Sequence, residues 1–219
     1  MGKPAKIFLR VLLVTLGILL LGFGGLAGFA TYTSNSAISS AEAPVDGMVM
    51  GNPEGSLTIV EFVDYRCHYC PIMNATLTEA LDQEPNVKVI IRPVGWVDEN
   101  LSKPIASFVL AAAKQGKAIE LHKRLMSLAS LPDLDITRSI AQSIGVDVDR
   151  AEQDAKGDDI AALLQDNQDY VLNAGFQGIP ALVIGGWRYQ PDEEGMRSVN
   201  GLRIKIADGQ ERLNKGKGN

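Results

Sequence analysis

The segment Cys67-His68-Tyr69-Cys70-Pro71 constrains the fold more than any other feature of the chain. Proline has no amide hydrogen and clashes with the preceding turn, so inside a helix it belongs to the first turn. Downstream of Pro71, Met73, Leu77, Ala80 and Leu81 fall on one helix face. A helix must therefore start at the cysteines. Upstream, Leu57 to Val63 is an apolar, β-rich run that reads as a buried strand. The cysteines thus sit where a strand hands over to a helix N-terminus. Unpaired N–H groups and the helix dipole favour negative charge there. That lowers a thiol pKa, and the thiolate is the reactive form.

The 219-residue chain has only these two cysteines. A pair this close shuts too short a loop to stabilise a fold by cross-linking, and stapled secreted domains carry more. Redox chemistry is the expected use. Cys67 comes first, lies nearer solvent and follows Arg66, so it is expected to attack. Cys70, one turn deeper, is the resolving thiol that attacks the mixed disulfide and releases a client. His68, when protonated, stabilises the Cys67 thiolate; its alternative is to face solvent. Tyr69 either contacts a client or packs locally. Glu61 interrupts the apolar strand six positions before Cys67. Buried, it would hold a raised pKa and exchange a proton with Cys70; at a sheet edge it would simply face water. Asp64, in the turn, reads as a local hydrogen-bonding residue. Zinc takes four ligands, and the only histidines are His68 and His122, so no metal and no cofactor are expected. A two-thiolate copper site is the rival use of the pair.

The first ten residues carry Lys3, Lys6 and Arg10 and no acid, and Val11 to Ala30 is uncharged and mostly apolar. At ~1.5 Å per residue such a run spans a bilayer core, longer than the ~7–15 apolar residues of a secretory signal. Residues 1–10 are read as a cytoplasmic basic segment and 11–30 as a transmembrane anchor, with the rest exported by the positive-inside rule. Cleavage is the alternative, at Gly28-Phe29-Ala30 or Ala41-Glu42-Ala43. Residues 31–55, rich in Ser, Ala, Gly and Pro, read as a linker. Without its first thirty residues the chain has a net charge of −8, which argues against a nucleic-acid partner.

Residues 56–219 form the soluble domain. Val87 to Arg92 alternates Val87, Val89 and Ile91 against Lys88 and Arg92, a second strand. Helices are expected after Ser102 as a cap, around Leu121, Leu125 and Leu128, after Asp135 as a cap, and from Ile160 to Ala174. Ala181 to Ile184 is a strand, and Gly185-Gly186 turns it into Trp187-Arg188-Tyr189. In the tail, Leu202, Ile204 and Ile206 alternate like a strand, whereas Gln210 to Lys215 suits a helix. The order implies a parallel β-α-β unit extended by a late hairpin, with a helical insertion at about 99–158.

Val60-Glu61-Phe62-Val63-Asp64-Tyr65-Arg66-Cys67-His68-Tyr69-Cys70, with Gly178-Ile179-Pro180-Ala181-Leu182-Val183-Ile184 about 110 residues later, resembles the DsbA-like branch of the thioredoxin superfamily. The resemblance covers roughly residues 45 to 190. It implies an α/β, thioredoxin-like fold with an inserted helical subdomain behind one transmembrane helix. It implies that Pro180 is cis beside the cysteines, that Ile179 offers backbone hydrogen bonds to a client, and that Glu61 is the family's buried acid. Ser102, Ala112 and His122 lie in a stretch that looks similar too, with His122 expected as a core or interface residue. The implied activity is thiol-disulfide exchange on cysteine-containing exported proteins, most simply disulfide formation, with an envelope redox partner at the inner membrane. His68-Tyr69 departs from the Pro-His of strongly oxidising members, and Tyr at the second position is similar to isomerases. An isomerase or reductase serving envelope or cytochrome assembly is therefore one alternative, and a membrane-anchored copper-binding or scaffold module another.

Overall fold

The interrupted apolar run becomes β2 (Leu57–Val63), the centre of a five-stranded sheet. Its neighbours are β3 (Val87–Pro93), parallel, and β4 (Ala181–Ile184), antiparallel. The edges are β1 (Val49–Gly51), antiparallel to β3, and β5 (Trp187–Tyr189), antiparallel to β4. The structure is a computed structural model that describes residues 3–98, 100–190 and 198–216, except the side chains of 3–14, 16–21, 26 and 216.

Both faces of the sheet are covered, which is why β2 reads as nearly continuous apolar sequence. One face meets α2 (Cys70–Leu81) and α8 (Val199–Gly216). It gathers Leu57, Ile59, Leu182 and Ile184 with Met73, Leu77, Leu202 and Ile206. On the other face Val60, Phe62, Ala181 and Val183 pack with Ala37, Ile38 and Ala41 of α1 (Lys3–Ala41), with Val171 of α7 (Asp158–Asn173) and with Ala174, which caps that helix. Between β3 and α7 lie α3 (Ser102–Ala113), α4 (Ala118–Met126), α5 (Leu134–Ser143) and α6 (Val148–Asp154). The hairpin at Gly185-Gly186 has φ of 55° and 83°, both in the left-handed region that the tight turn between β4 and β5 demands.

Several expectations need correction. The stretch read as a linker is helical through Ala41 and then supplies β1, because Ala37, Ile38 and Ala41 fall on one helix face and bury themselves under the sheet. Arg92, taken as the polar side of an alternating strand, is buried there. Its guanidinium donates to the carbonyls of Ser40, Ala41 and Ala43 and to Asn167 Oδ1, so it caps the C-terminus of α1. In the tail the strand-like alternation is a helix: Leu202 and Ile206, four apart, are buried, while Ile204 is exposed. Asp133, not Asp135, caps α5, accepting from Ile136 N–H at 2.8 Å. Ser102 is the first helical residue of α3 rather than its cap, because its hydroxyl is committed to Asp64. The helical block continues through α7 to Asn173, beyond residue 158. Among the described residues no helix is long and apolar enough to cross a membrane; most side chains of the expected anchor, 11–30, lie outside those described.

Candidate functional site

Cys70 opens α2 and Cys67 lies in the turn before it, where Cys67 N–H donates to Asp64 C=O at 3.0 Å. Both thiols are free. Cys70 is fully buried and Cys67 retains 6% exposure. The two thiols are therefore chemically unlike. The Cys67 pKa is lowered from 9.0 to about 7, first by the hydrogen bond from Cys70 and then by the backbone N–H groups of Tyr69 and Cys70, against desolvation. Burial, followed by the interactions with Cys67, drives the Cys70 thiol far up, so it stays protonated. A thiol near neutrality in front of a buried, protonated one is chemically suited to attack and resolution respectively.

Across the fold, the Ile179–Pro180 peptide is cis and leads into β4. Cys67 Sγ donates to Ile179 C=O at 3.6 Å, a sulfur-range hydrogen bond. His68 and Tyr69 are exposed on the rim, Tyr69 at 65%, and Ile72 and Val97 are exposed as well. Arg66 turns away from the thiol: it pairs with Asp98 at 3.6 Å and donates to Pro132 C=O at 3.0 Å. Beside the cysteines a recess of about 530 Å³ opens between Arg66, His68 and Pro71 on one side and Leu128 and Pro132 on the other.

Glu61 is buried in the central strand, not at an edge. Desolvation raises its pKa from 4.5 to about 8, the Asn74 hydrogen bond opposing. It adds to the field that keeps Cys70 protonated. Asn74, one turn beyond Cys70 on the buried face of α2, donates to Glu61 Oε2 at 3.2 Å, while Glu61 Oε1 has no protein partner. The Asn74 amide nitrogen also lies 2.8 Å from His122 Nε2, and His122 Nδ1 lies 3.2 Å from Tyr65 Oη. Neither Asn74 nor Tyr65 stands out in the sequence as a site residue. The signal present was a polar residue four positions after Cys70, on the face that Leu77 and Met73 bury.

Asp64 fastens the surrounding loops. Its carboxylate accepts from Arg66 N–H, Trp96 N–H, Val97 N–H and the Ser102 hydroxyl, all within 2.8–2.9 Å. Among the described residues no group of three or more His, Cys, Asp or Glu is arranged to hold a metal ion.

The sequence model of the thioredoxin family matches residues 43–199. The chain belongs to the thioredoxin family. It is a DsbA-like thioredoxin-superfamily protein, with the helical block set between β3 and β4. A thioredoxin-like oxidoreductase from Silicibacter pomeroyi superposes with a TM-score of 0.67 at 28% identity, over 79% of this chain and 99% of that one. The catalytic domain of Proteus mirabilis ScsC matches with a TM-score of 0.67 at 27% identity, over 80% and 97%. The thiol-disulfide exchange protein alpha-DsbA2 of Wolbachia pipientis shares the fold, with a TM-score of 0.67 at 24% identity over 83% and 97%. In sequence the chain is also 26% identical over 161 residues to the Na(+)/H(+) antiporter NhaA 3 of Salinispora tropica. That match takes in 71% of this chain and 24% of the antiporter, so the chain spans about a quarter of that relative's length.

Proposed function

We propose that this thioredoxin-family chain is a thiol-disulfide oxidoreductase that forms disulfides in exported, cysteine-containing proteins. The observation that carries this reading is the asymmetry of the pair: a thiol near neutrality at Cys67, beside Ile179, backed by a protonated, buried Cys70 next to Glu61.

In the donating direction a client thiolate attacks Cys67 Sγ of the Cys67–Cys70 disulfide. The S–S bond breaks, Cys70 leaves with the electron pair, and Glu61 supplies its proton. A second client thiolate then attacks the client sulfur of the mixed disulfide, and Cys67 leaves as a thiolate its surroundings stabilise. Two electrons pass from client to pair, and an envelope redox partner must remove them. In reverse, Glu61 takes the Cys70 proton as Cys70 attacks Cys67 Sγ. Ile179 offers backbone hydrogen bonds to the client beside Pro180, exposed Tyr69 adds apolar contact, and protonated His68 adds charge that favours the thiolate. The apolar run at 11–30, preceded by basic residues, supports a single-pass anchor holding the domain outside the cytoplasm.

The test is oxidation of a reduced model protein by the purified chain, with Cys67→Ser expected to abolish it. The reduction potential fixes direction: one well above that of thioredoxin, roughly −270 mV, supports donation, and one near it supports reduction.

A further inference from the structure

The buried polar groups behind the cysteines form one chain across three elements. Glu61 comes from β2, Asn74 from α2 and His122 from α4, with Tyr65 in the turn before Cys67. None is more than 5% exposed. Everything else set against the carboxyl from the neighbouring strands is apolar, Ile91 on β3 and Leu182 on β4. The titratable groups that act on this cluster are Cys70, Asp64 and Lys123.

The hydrogen-bond arithmetic of this chain has one solution with Asn74 as it stands. An amide nitrogen only donates, and it has two hydrogens. One goes to Glu61 Oε2 and the other to His122 Nε2. His122 Nε2 must then be bare, the imidazole neutral, and its hydrogen on Nδ1, donated to Tyr65 Oη. Burial lowers the His122 pKa from 6.5 to about 3, which agrees with a neutral ring. With Oε2 occupied as an acceptor, the carboxyl proton of Glu61 belongs on Oε1. Turned over, Asn74 would present its oxygen to both neighbours, the hydrogen would move to His122 Nε2, and Tyr65 Oη would donate to Nδ1; the His122 tautomer therefore reports which way the amide faces.

We infer that Asn74, His122 and Tyr65 are positioning residues that keep the exchangeable proton of Glu61 on Oε1. They touch no client, and they act through Glu61. The inference rests on the reading of Glu61 as the proton partner of Cys70, and it makes the helical block part of the redox site: α4 supplies the group that orients the acid on β2.

The first experiment needs no variant. Nitrogen-15 NMR of His122 in the reduced protein is expected to show a neutral ring with hydrogen on Nδ1 between about pH 5 and 8. Hydrogen on Nε2 would mean that the Asn74 amide is turned over, presenting its oxygen to both neighbours, and would overturn the assignment. The second experiment uses Tyr65→Phe and Asn74→Leu. Tyr65→Phe should mix the two His122 tautomers. Asn74→Leu removes a donor to the carboxylate, so the Glu61 midpoint, followed by carbon-13 NMR, should rise by about one pH unit. An unmoved midpoint sinks the positioning role. Release of glutathione from a Cys67–glutathione mixed disulfide should shift its pH profile by the same amount. A shifted Glu61 midpoint with an unshifted release profile would leave the positioning standing and refute Glu61 as the partner of Cys70.

Discussion

Cys67 Sγ lies 3.6 Å from the carbonyl oxygen of Ile179, a residue 112 positions away in the chain. Two segments far apart in sequence thereby meet at one thiol. The strand-to-helix turn supplies the nucleophile, and the segment leading into β4 supplies backbone groups beside it. The thiol is also held by its own neighbour, and that hold is open to measurement.

Alkylation of Cys67 in the reduced protein is expected to follow an apparent pKa of about 7. Cys70→Ala removes the largest stabilising contribution, so the midpoint should move up toward the ordinary 9.0. Cys70→Ser, which keeps a donor, should move it less. A pKa depressed on folding stabilises the reduced protein above pH 9.0, and that contribution fades as pH falls through about 7. An alkylation profile untouched by Cys70→Ala contradicts the hydrogen bond between the thiols.

Glu61 has the opposite sign. Its folded pKa is raised from 4.5 to about 8, so stability is full below pH 4.5 and is lost as pH rises through about 8. Glu61→Gln should therefore gain stability relative to the parent, on the order of 2–5 kcal/mol at alkaline pH and little at pH 4. The same variant should slow the Cys70 step with the fold intact. Urea unfolding at several pH values measures the first, and stopped-flow release of a mixed disulfide the second.

The strand, the helix start, the dithiol and its acid were legible because each is written in local pattern: an apolar run, Pro71 after Cys70, a carboxylate at Glu61. The convergence of Asn74 with His122 was not, since 48 residues separate them and only the packing of α4 on α2 brings them together. Arg92 misled for a physical reason. An alternating Lys and Arg signals a solvated face, but this face is roofed by a helix whose last carbonyls need a donor. The small residues of α1 past Thr31 looked like linker because small side chains suit both a flexible tether and close helix-to-sheet packing.

That roof makes its own prediction. Arg92→Met leaves the carbonyls of Ser40, Ala41 and Ala43 without their donor and should cost about 2–4 kcal/mol. Hydrogen exchange should rise over residues 37–45, with the Cys67 alkylation midpoint unchanged. Equal loss of protection throughout the sheet would show that α1 is not a separable layer.

Asp64 is expected to be structural. Asp64→Ala strands four donors, three backbone N–H groups and the Ser102 hydroxyl, and should destabilise by roughly 3 kcal/mol or more. Ser102→Ala removes one of these bonds, together with the one its hydroxyl accepts from Asp98 N–H, and should cost less, about 1–2 kcal/mol. Thermal unfolding of the two variants side by side checks the ratio.

Disulfide exchange by this pair requires Cys67 to attack and Cys70 to resolve. Incubating the Cys67→Ser and Cys70→Ser variants with a disulfide-bearing model peptide, followed by intact mass spectrometry, tests this directly. The prediction is a stable mixed disulfide on Cys67 in the Cys70→Ser protein and no adduct in Cys67→Ser. Adduct formation on Cys70 in the Cys67→Ser protein, at the same rate, would contradict it.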